Sequence, residues 1–251
     1  MSFATVINAL AIPKEALVDH RVPKKLLLEQ GAPTAADKRQ IQEAIEEMIW
    51  VAALKPTNIG VPSFRDAVRE YLEIAVLTVS FRPSAKPLRL TELIHRAIPY
   101  PLVLVTEQRD VLNLSLAHKR RSQGEAGRVV VEDVRQVQLN RDGTAPEETT
   151  FLVSLGVSRL PSRNLFALYS GLLERVAALE AARITGSFTP PDSPESASAM
   201  RAGLDLHAQI KRDLAILRAR ADKEKQINRR VELNIEIKRL EAELAATQET
   251  L

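Results

Sequence analysis

The C-terminal fifth of the chain constrains the fold most, because residues 201–251 contain no proline, and no glycine after Gly203. Proline and glycine are the residues that most often end helices, so their absence predicts an uninterrupted helix. We predict one highly charged helix of about 45 residues, roughly 70 Å long at about 1.5 Å per residue. An isolated helix of this length cannot bury its own apolar residues, so it needs a partner surface.

Apolar residues recur along this helix at the spacing of a coiled coil. One set, which we call the first seam, has gaps that alternate between four and three residues. It consists of Ile210, Leu214, Leu217, Ala221, Glu224, Asn228, Val231 and Ile235. The second seam consists of Leu233, Ile237, Leu240 and Leu244. The seams predict a coiled-coil-type helix that binds a second copy of the chain, another protein, or the body of its own molecule.

The polar residue Asn228 interrupts the apolar first seam. A buried asparagine at such a position fixes the register and the number of helices, at some cost in stability. The alternative is that Asn228 faces solvent and takes no part in assembly.

Basic residues cluster in the middle of the same segment. They are Arg218, Arg220, Lys223, Lys225, Arg229 and Arg230, with only Asp222 and Glu224 to oppose them. Such a stripe can follow the phosphates of a nucleic acid. The alternative is a solvated helix face with ion pairs between neighbouring turns, because residues 201–251 contain eleven basic and nine acidic side chains.

The preceding residues predict an α+β body over residues 1–184, with a small, mostly antiparallel sheet and flanking helices. Alternating apolar residues in Val111–Ala117 indicate a strand that pairs with the apolar run Leu102–Thr106 as a hairpin. Residues 185–200 are rich in proline and serine and predict a linker between the body and the helix of residues 201–251. This order of elements is typical of α+β proteins.

One further helix is predicted early in the body. Ile41, Ala44, Ile45, Met48 and Ile49 follow one another at helical spacing and indicate a single buried face. We predict that a strand begins after this helix, at Trp50.

Composition excludes several kinds of chemistry. The chain has no cysteine, which removes disulfides, thiol catalysis and cysteine-ligated zinc and fits a reducing compartment. No apolar stretch approaches the roughly 18–20 residues that a membrane span requires. The four histidines are far apart in sequence, and no phosphate-binding glycine loop is present. We therefore expect a cytoplasmic protein with no metal, no cofactor and no catalytic residue.

Two alternatives involve the body. A divergent Mg²⁺-dependent nuclease would need carboxylates and a lysine on neighbouring strands, for which Glu73, Asp110 and Lys119 are candidates. The acid–x–lysine pair of such sites is missing from the predicted strands. The basic run Lys119, Arg120 and Arg121 follows a strand, where it could contact a nucleic acid or prevent edge-to-edge aggregation.

Several stretches resemble a bacterial family, the one called domain of unknown function 4391. They are Ile98–Leu104, the strand end Ala117–Arg120, and Lys223–Leu240. The order of elements is also similar, from Pro23–Lys25 to the terminal helix. Members of that family tend to be encoded beside helicases and DNA methyltransferases in restriction-like anti-phage loci. The resemblance implies such a setting for this chain, and it carries over no catalytic residues.

These observations lead us to expect a non-catalytic interaction or accessory protein in a bacterial restriction-like defence system. Its C-terminal helix would form a homo-oligomer or dock to a helicase or DNA methyltransferase. Two alternatives stay open. One is a nucleic-acid-binding accessory subunit that uses the basic residues of 119–121 and 218–230, and the other is the divergent nuclease.

Overall fold

A computed structural model describes residues 2–30, 33–122, 124, 129–140 and 145–251. The chain divides by its internal contacts into two compact units, residues 1–176 and residues 177–251. We call the first unit the body and the second the helical unit.

The secondary structure combines helices and strands in the body, whereas the helical unit contains helices. In chain order the helices are α1 (Phe3–Ala9), α2 (Lys24–Gln30), α3 (Ala35–Ala44), α4 (Pro56–Ile59), α5 (Pro87–Ala97), α6 (Pro146–Ser154), α7 (Leu165–Thr185), α8 (Pro194–Lys223) and α9 (Ile227–Glu249). The strands are β1 (Leu17–Arg21), β2 (Ile45–Leu54), β3 (Phe64–Arg65), β4 (Glu70–Tyr71), β5 (Ile74–Phe81), β6 (Leu102–Gln108), β7 (Val111–Leu116), β8 (Lys119–Arg121), β9 (Val129–Val131) and β10 (Arg135–Leu139). The predicted α+β class is confirmed.

The body is built on a sheet with the strand order β1-β2-β5-β6-β7-β10. Its neighbouring strands are antiparallel except β5 and β6, which run parallel with Ala75 opposite Leu102. Two parallel neighbouring strands need a crossover connection, and helix α5 forms the crossover between β5 and β6. The β3–β4 and β8–β9 pairs form two small sheets beside the main one. The prediction of a mostly antiparallel sheet is therefore confirmed, with one parallel pair at its centre.

Strand β5 lies inside the sheet because its side chains are apolar on both faces. Every residue of Ile74–Phe81 except Ser80 is buried. A strand of this kind must be covered on both sides. Helix α5 contributes Leu90, Leu93 and Ile94 to the same buried cluster as β5.

Helix α3 ends at Ala44 and β2 begins at once, so the prediction of one helix through Ile49 is wrong. The carbonyl of Ala44 accepts a hydrogen bond from the Arg82 amide at 2.8 Å, which starts the sheet pairing where the helix ends. Met48 then pairs with Val79 of β5. Isoleucine, tryptophan and valine favour strands, and pairing with β5 overrides the helical spacing.

The C-terminal segment is helical, as predicted, but it forms two helices instead of one. Helix α8 ends at Lys223 and α9 begins at Ile227, with residues 224–226 non-helical between them. Helix α8 begins at Pro194 after a capping box at Ser193, so the last part of the predicted 185–200 linker is helical.

The two helices pack against each other in antiparallel directions. Their buried cluster contains Ile210, Leu214, Leu217 and Ala221 of α8 and Ile237 of α9, with Leu233, Leu240 and Leu244 packed at its margin. At the opposite end of the pair, a Cβ added to Gly203 would lie 2.8 Å from a methyl carbon of Leu251. The first half of the first seam therefore binds the second seam of the same chain. Burial of both apolar faces offsets the helical hydrogen bonds lost at residues 224–226.

We expect Leu214→Ala to destabilise the α8–α9 contact by about 2–5 kcal/mol, because it leaves a cavity among buried aliphatic side chains. Ile216→Ala is the matched control, since Ile216 is 58% exposed and its loss should change stability by less than about 0.5 kcal/mol. Hydrogen exchange of the α8 and α9 amides, followed by mass spectrometry, measures the free energy of local opening. Equal effects of the two substitutions would contradict the packing described above.

Candidate functional site

The most concentrated charge on the helical unit lies where α8 turns back into α9. We call residues 218–230 the basic turn. Its basic side chains are all exposed, and they are Arg218, Arg220, Lys223, Lys225, Arg229 and Arg230. These side chains lie at one end of the helix pair. They belong to the end of α8, to the three-residue connection and to the first turn of α9.

Most of these cations have no acidic partner among the residues that the structure describes. The Arg218 guanidinium donates to a carboxylate oxygen of Glu241 at 2.6 Å. No ion pair engages the other five basic side chains of the basic turn within the described part of the chain. Of the two nearby acidic residues, Glu224 accepts a hydrogen bond from the backbone amide of Gln226 at 2.8 Å. The basic turn therefore presents an excess of positive charge to solvent.

The position of this charge does not stabilise the helix that carries it. The first turn of α9 has no acidic side chain, and its last turn has no basic one. Arg229 and Arg230 instead stand near the positive end of the helix dipole, where acidic side chains are favoured by about 0.3–1 kcal/mol each. Gln226, the N-cap residue, makes no side-chain capping bond. The arrangement is therefore suited to an external anion.

The second half of the first seam does not join the contact between α8 and α9. Asn228 is exposed, and Val231 and Ile235 are 52% and 65% exposed. Asn228 thus faces solvent within this chain, which agrees with the alternative that was set against a register-fixing role. Ile227, which the seam omitted, is 69% exposed and continues the same face one turn earlier. Its spacing of four residues from Val231 was the available signal.

The basic run of residues 119–121 does not form a positive surface, which corrects the prediction for Lys119. That side chain is 3% exposed, and its ammonium group donates to the carbonyl oxygens of Ile98 and Tyr100. Arg120 is half-buried, whereas the exposed Arg121 lies 3.4 Å from a carboxylate oxygen of Glu70. Strand β8 pairs with β9, and of its three residues Lys119 is the buried one.

Lys119 belongs to a group of buried polar side chains at one end of β6 and β7. Burial lowers the pKa of Lys119 to about 7. Burial, and then the charge of Lys119, hold the pKa of His95 well below its usual value. The His95 Nε2 atom lies 3.1 Å from the Ser115 hydroxyl. The Lys119 ammonium and the Ser115 hydroxyl donate to main-chain carbonyls, whereas Nδ1 of the buried His95 has no hydrogen-bond partner among the described residues.

An adjacent pair of polar side chains is held among aromatic rings. The Tyr71 hydroxyl lies 2.6 Å from Nδ1 of His118, and burial raises the pKa of Tyr71 well above its usual range. Phe166 and Tyr169 contact the His118 ring at centroid distances of 5.1 and 5.6 Å. Sequence reasoning missed this cluster because its members are far apart along the chain.

The structure does not assemble the candidate nuclease residues. Glu73 precedes β5 and pairs with Lys55 at 3.1 Å, whereas Asp110 follows β6 at the opposite end of the parallel pair. Lys119 is enclosed, as described above. Among the described residues, no group of three histidine or acidic side chains is placed to hold a metal ion.

A family model described as Domain of unknown function (DUF4391) matches residues 10–244. No curated protein and no solved structure matches the chain. Within the residues that the structure describes, no helix is both long and apolar enough to cross a membrane.

We expect the free energy of unfolding to rise between pH 7 and pH 9.5 through Lys119. Its pKa is about 7 when folded and about 10.4 when unfolded, so over this window the unfolded chain binds the extra proton. Stability is therefore lost as the pH falls towards 7 and gained as it rises. In urea unfolding, the wild type should gain on the order of 2–3 kcal/mol more than Lys119→Met over this window. Identical pH profiles for the two proteins would contradict the burial of a titrating amine.

Proposed function

Since the chain belongs to the family described as Domain of unknown function (DUF4391), a description that assigns no activity, we propose a function from its own surface. We propose a non-catalytic accessory protein that binds nucleic acid through the basic turn. The observation that carries the proposal is the group of five exposed basic side chains with no acidic partner in the described part of the chain.

Phosphates are the ligand that this surface fits best. A compact group of lysines and arginines raises the local concentration of a polyanion and gains free energy by releasing its counterions. The two ends of the helix pair differ in this respect, because the end that contains Gly203 and Leu251 has no comparable group of cations. Contacts of this kind read the backbone and not the base sequence. Binding should therefore depend steeply on salt and weakly on sequence.

The setting that we propose is the cytoplasm of a bacterium, in a restriction-like anti-phage system. A helicase or a DNA methyltransferase would be the enzyme that this accessory serves. The support is the resemblance of residues 223–240 and 98–104 to a family whose members are encoded beside such enzymes. The basic turn would then contribute affinity for the nucleic acid on which the partner acts.

We expect Arg229→Glu combined with Arg230→Glu to weaken binding to duplex DNA by at least about tenfold at low salt. The slope of log affinity against log salt concentration should also fall by about 2, because two phosphate contacts are lost. Fluorescence anisotropy of a labelled duplex, titrated at several salt concentrations, measures both quantities.

The matched control is Lys211→Glu combined with Arg212→Glu, an adjacent and exposed basic pair on α8 outside the basic turn. It changes the net charge by the same amount, so it separates a local contact from a general electrostatic effect. Equal losses for the two double variants, or an affinity that does not depend on salt, would rule out the basic turn as the binding site.

A further inference from the structure

A separate group of basic side chains lies in the body, around the junction between α3 and β2. It consists of Arg21 at the end of β1, Lys24 at the start of α2 and Arg82 directly after β5. We call these three residues the basic triad. Arg82 is far from the other two in the sequence, so the triad exists only because the sheet and α2 bring these segments together.

Hydrogen bonds to the main chain of the junction hold Lys24 and Arg82 in place. The Lys24 ammonium donates to the carbonyl oxygen of Gln42 at 3.0 Å and to that of Ile45. The Arg82 amide donates to the carbonyl oxygen of Ala44 at 2.8 Å. An ammonium group has three N–H donors, so one donor of Lys24 remains after these two bonds.

The sheet places Arg21 and Arg82 on the two strands that flank β2. Arg21 pairs with Ile49 across β1 and β2, and the next amide, that of Val22, donates to the carbonyl oxygen of Met48 at 2.9 Å. On the other side of β2, Arg82 follows the last paired residue of β5. Lys24 lies over the start of β2, close enough to both arginines for their charges to act on it.

Acidic side chains oppose these charges only weakly. The Arg21 Nε atom lies 3.8 Å from a carboxylate oxygen of Glu47, and both side chains are exposed. Among the described residues, no ion pair engages Lys24, Arg82 or the exposed Glu46. Burial, and then the charges of Arg82 and Arg21, lower the pKa of Lys24. Positive charge therefore prevails at the Lys24 ammonium, and it disfavours the charged form of that group.

A structural role accounts for Lys24 alone. Its ammonium satisfies carbonyl oxygens at the end of α3, which a single cation can do. The Arg82 side chain forms no hydrogen bond or ion pair in the described part of the chain, and its charge repels that of Lys24. A bound anion would remove this repulsion and accept the remaining N–H of Lys24.

We infer that the basic triad binds phosphate groups. A phosphate oxygen accepts the third N–H of Lys24, and the guanidinium groups of Arg21 and Arg82 bind further oxygens through charge-assisted hydrogen bonds. Two sources share this chemistry, the backbone of a nucleic acid and a free phosphorylated compound. The site uses no residue of the basic turn, so it can fail or hold independently of the function proposed above.

Titration of the full ¹⁵N-labelled chain with pyrophosphate at constant ionic strength, followed by amide chemical shifts, tests the site. The Lys24 amide should shift along a saturable curve. Arg82→Gln should raise the dissociation constant at least about tenfold, because it removes a charge-assisted contact. The spectrum itself shows whether the variant keeps its fold.

The matched control is Arg96→Gln, since Arg96 is an exposed arginine of α5 outside the basic triad. It removes the same charge from the body and should leave the dissociation constant unchanged. Shifts that grow linearly without saturating, or equal effects of the two variants, would overturn the inference.

A second titration, with duplex DNA, identifies the source of the phosphate groups. It uses the chain that carries Arg229→Glu and Arg230→Glu, so that the basic turn no longer dominates binding. If the triad contacts a nucleic-acid backbone, DNA should shift the Lys24 amide, and adding Arg82→Gln should weaken DNA binding further. A Lys24 amide that responds to pyrophosphate and not to DNA assigns the site to a free phosphorylated compound.

Discussion

The apolar contact between α8 and α9 is the interaction on which the arrangement of the helical unit depends. Ile210, Leu214, Leu217 and Ala221 can be buried within one molecule only if the chain reverses direction and brings Ile237 back against them. The reversal falls at residues 224–226 and converts a basic stripe along one helix into a basic turn. The same contact leaves one face of α9 covered and the opposite face exposed. The nucleic-acid site that we propose follows from the reversal.

In the body, polar groups in the interior hold together segments that cannot pair through their own backbones. The connection from α5 to β6 contains Pro99 and Pro101, neither of which has an amide hydrogen to donate. Its carbonyl oxygens, at Ile98 and Tyr100, receive hydrogen bonds from the buried Lys119 side chain. The stretches 98–104 and 117–120, which carry part of the family resemblance, are therefore in direct contact. This contact explains physically why the two stretches belong together.

A second buried side chain closes the same end of the sheet. The Tyr169 hydroxyl donates to the carbonyl oxygen of Leu102 at 2.8 Å and accepts a hydrogen bond from the Ala117 amide at 2.9 Å. It thereby connects the start of β6 with the end of β7. Lys119 and Tyr169 thus stabilise the same end of the sheet through bonds to the main chain.

Local patterns in the sequence were enough to predict the α+β class, the β6–β7 hairpin and a helical C-terminal segment, because each depends on the spacing of apolar residues within a few turns or strand positions. The boundary at Ala44, the break after Lys223 and the burial of Lys119 were decided by tertiary structure. In each case the local sequence is compatible with more than one arrangement, and the choice depends on which distant surface the segment packs against. The side that Asn228 faces was decided in the same way. No neighbouring residue specifies it, and it follows from where α9 meets α8.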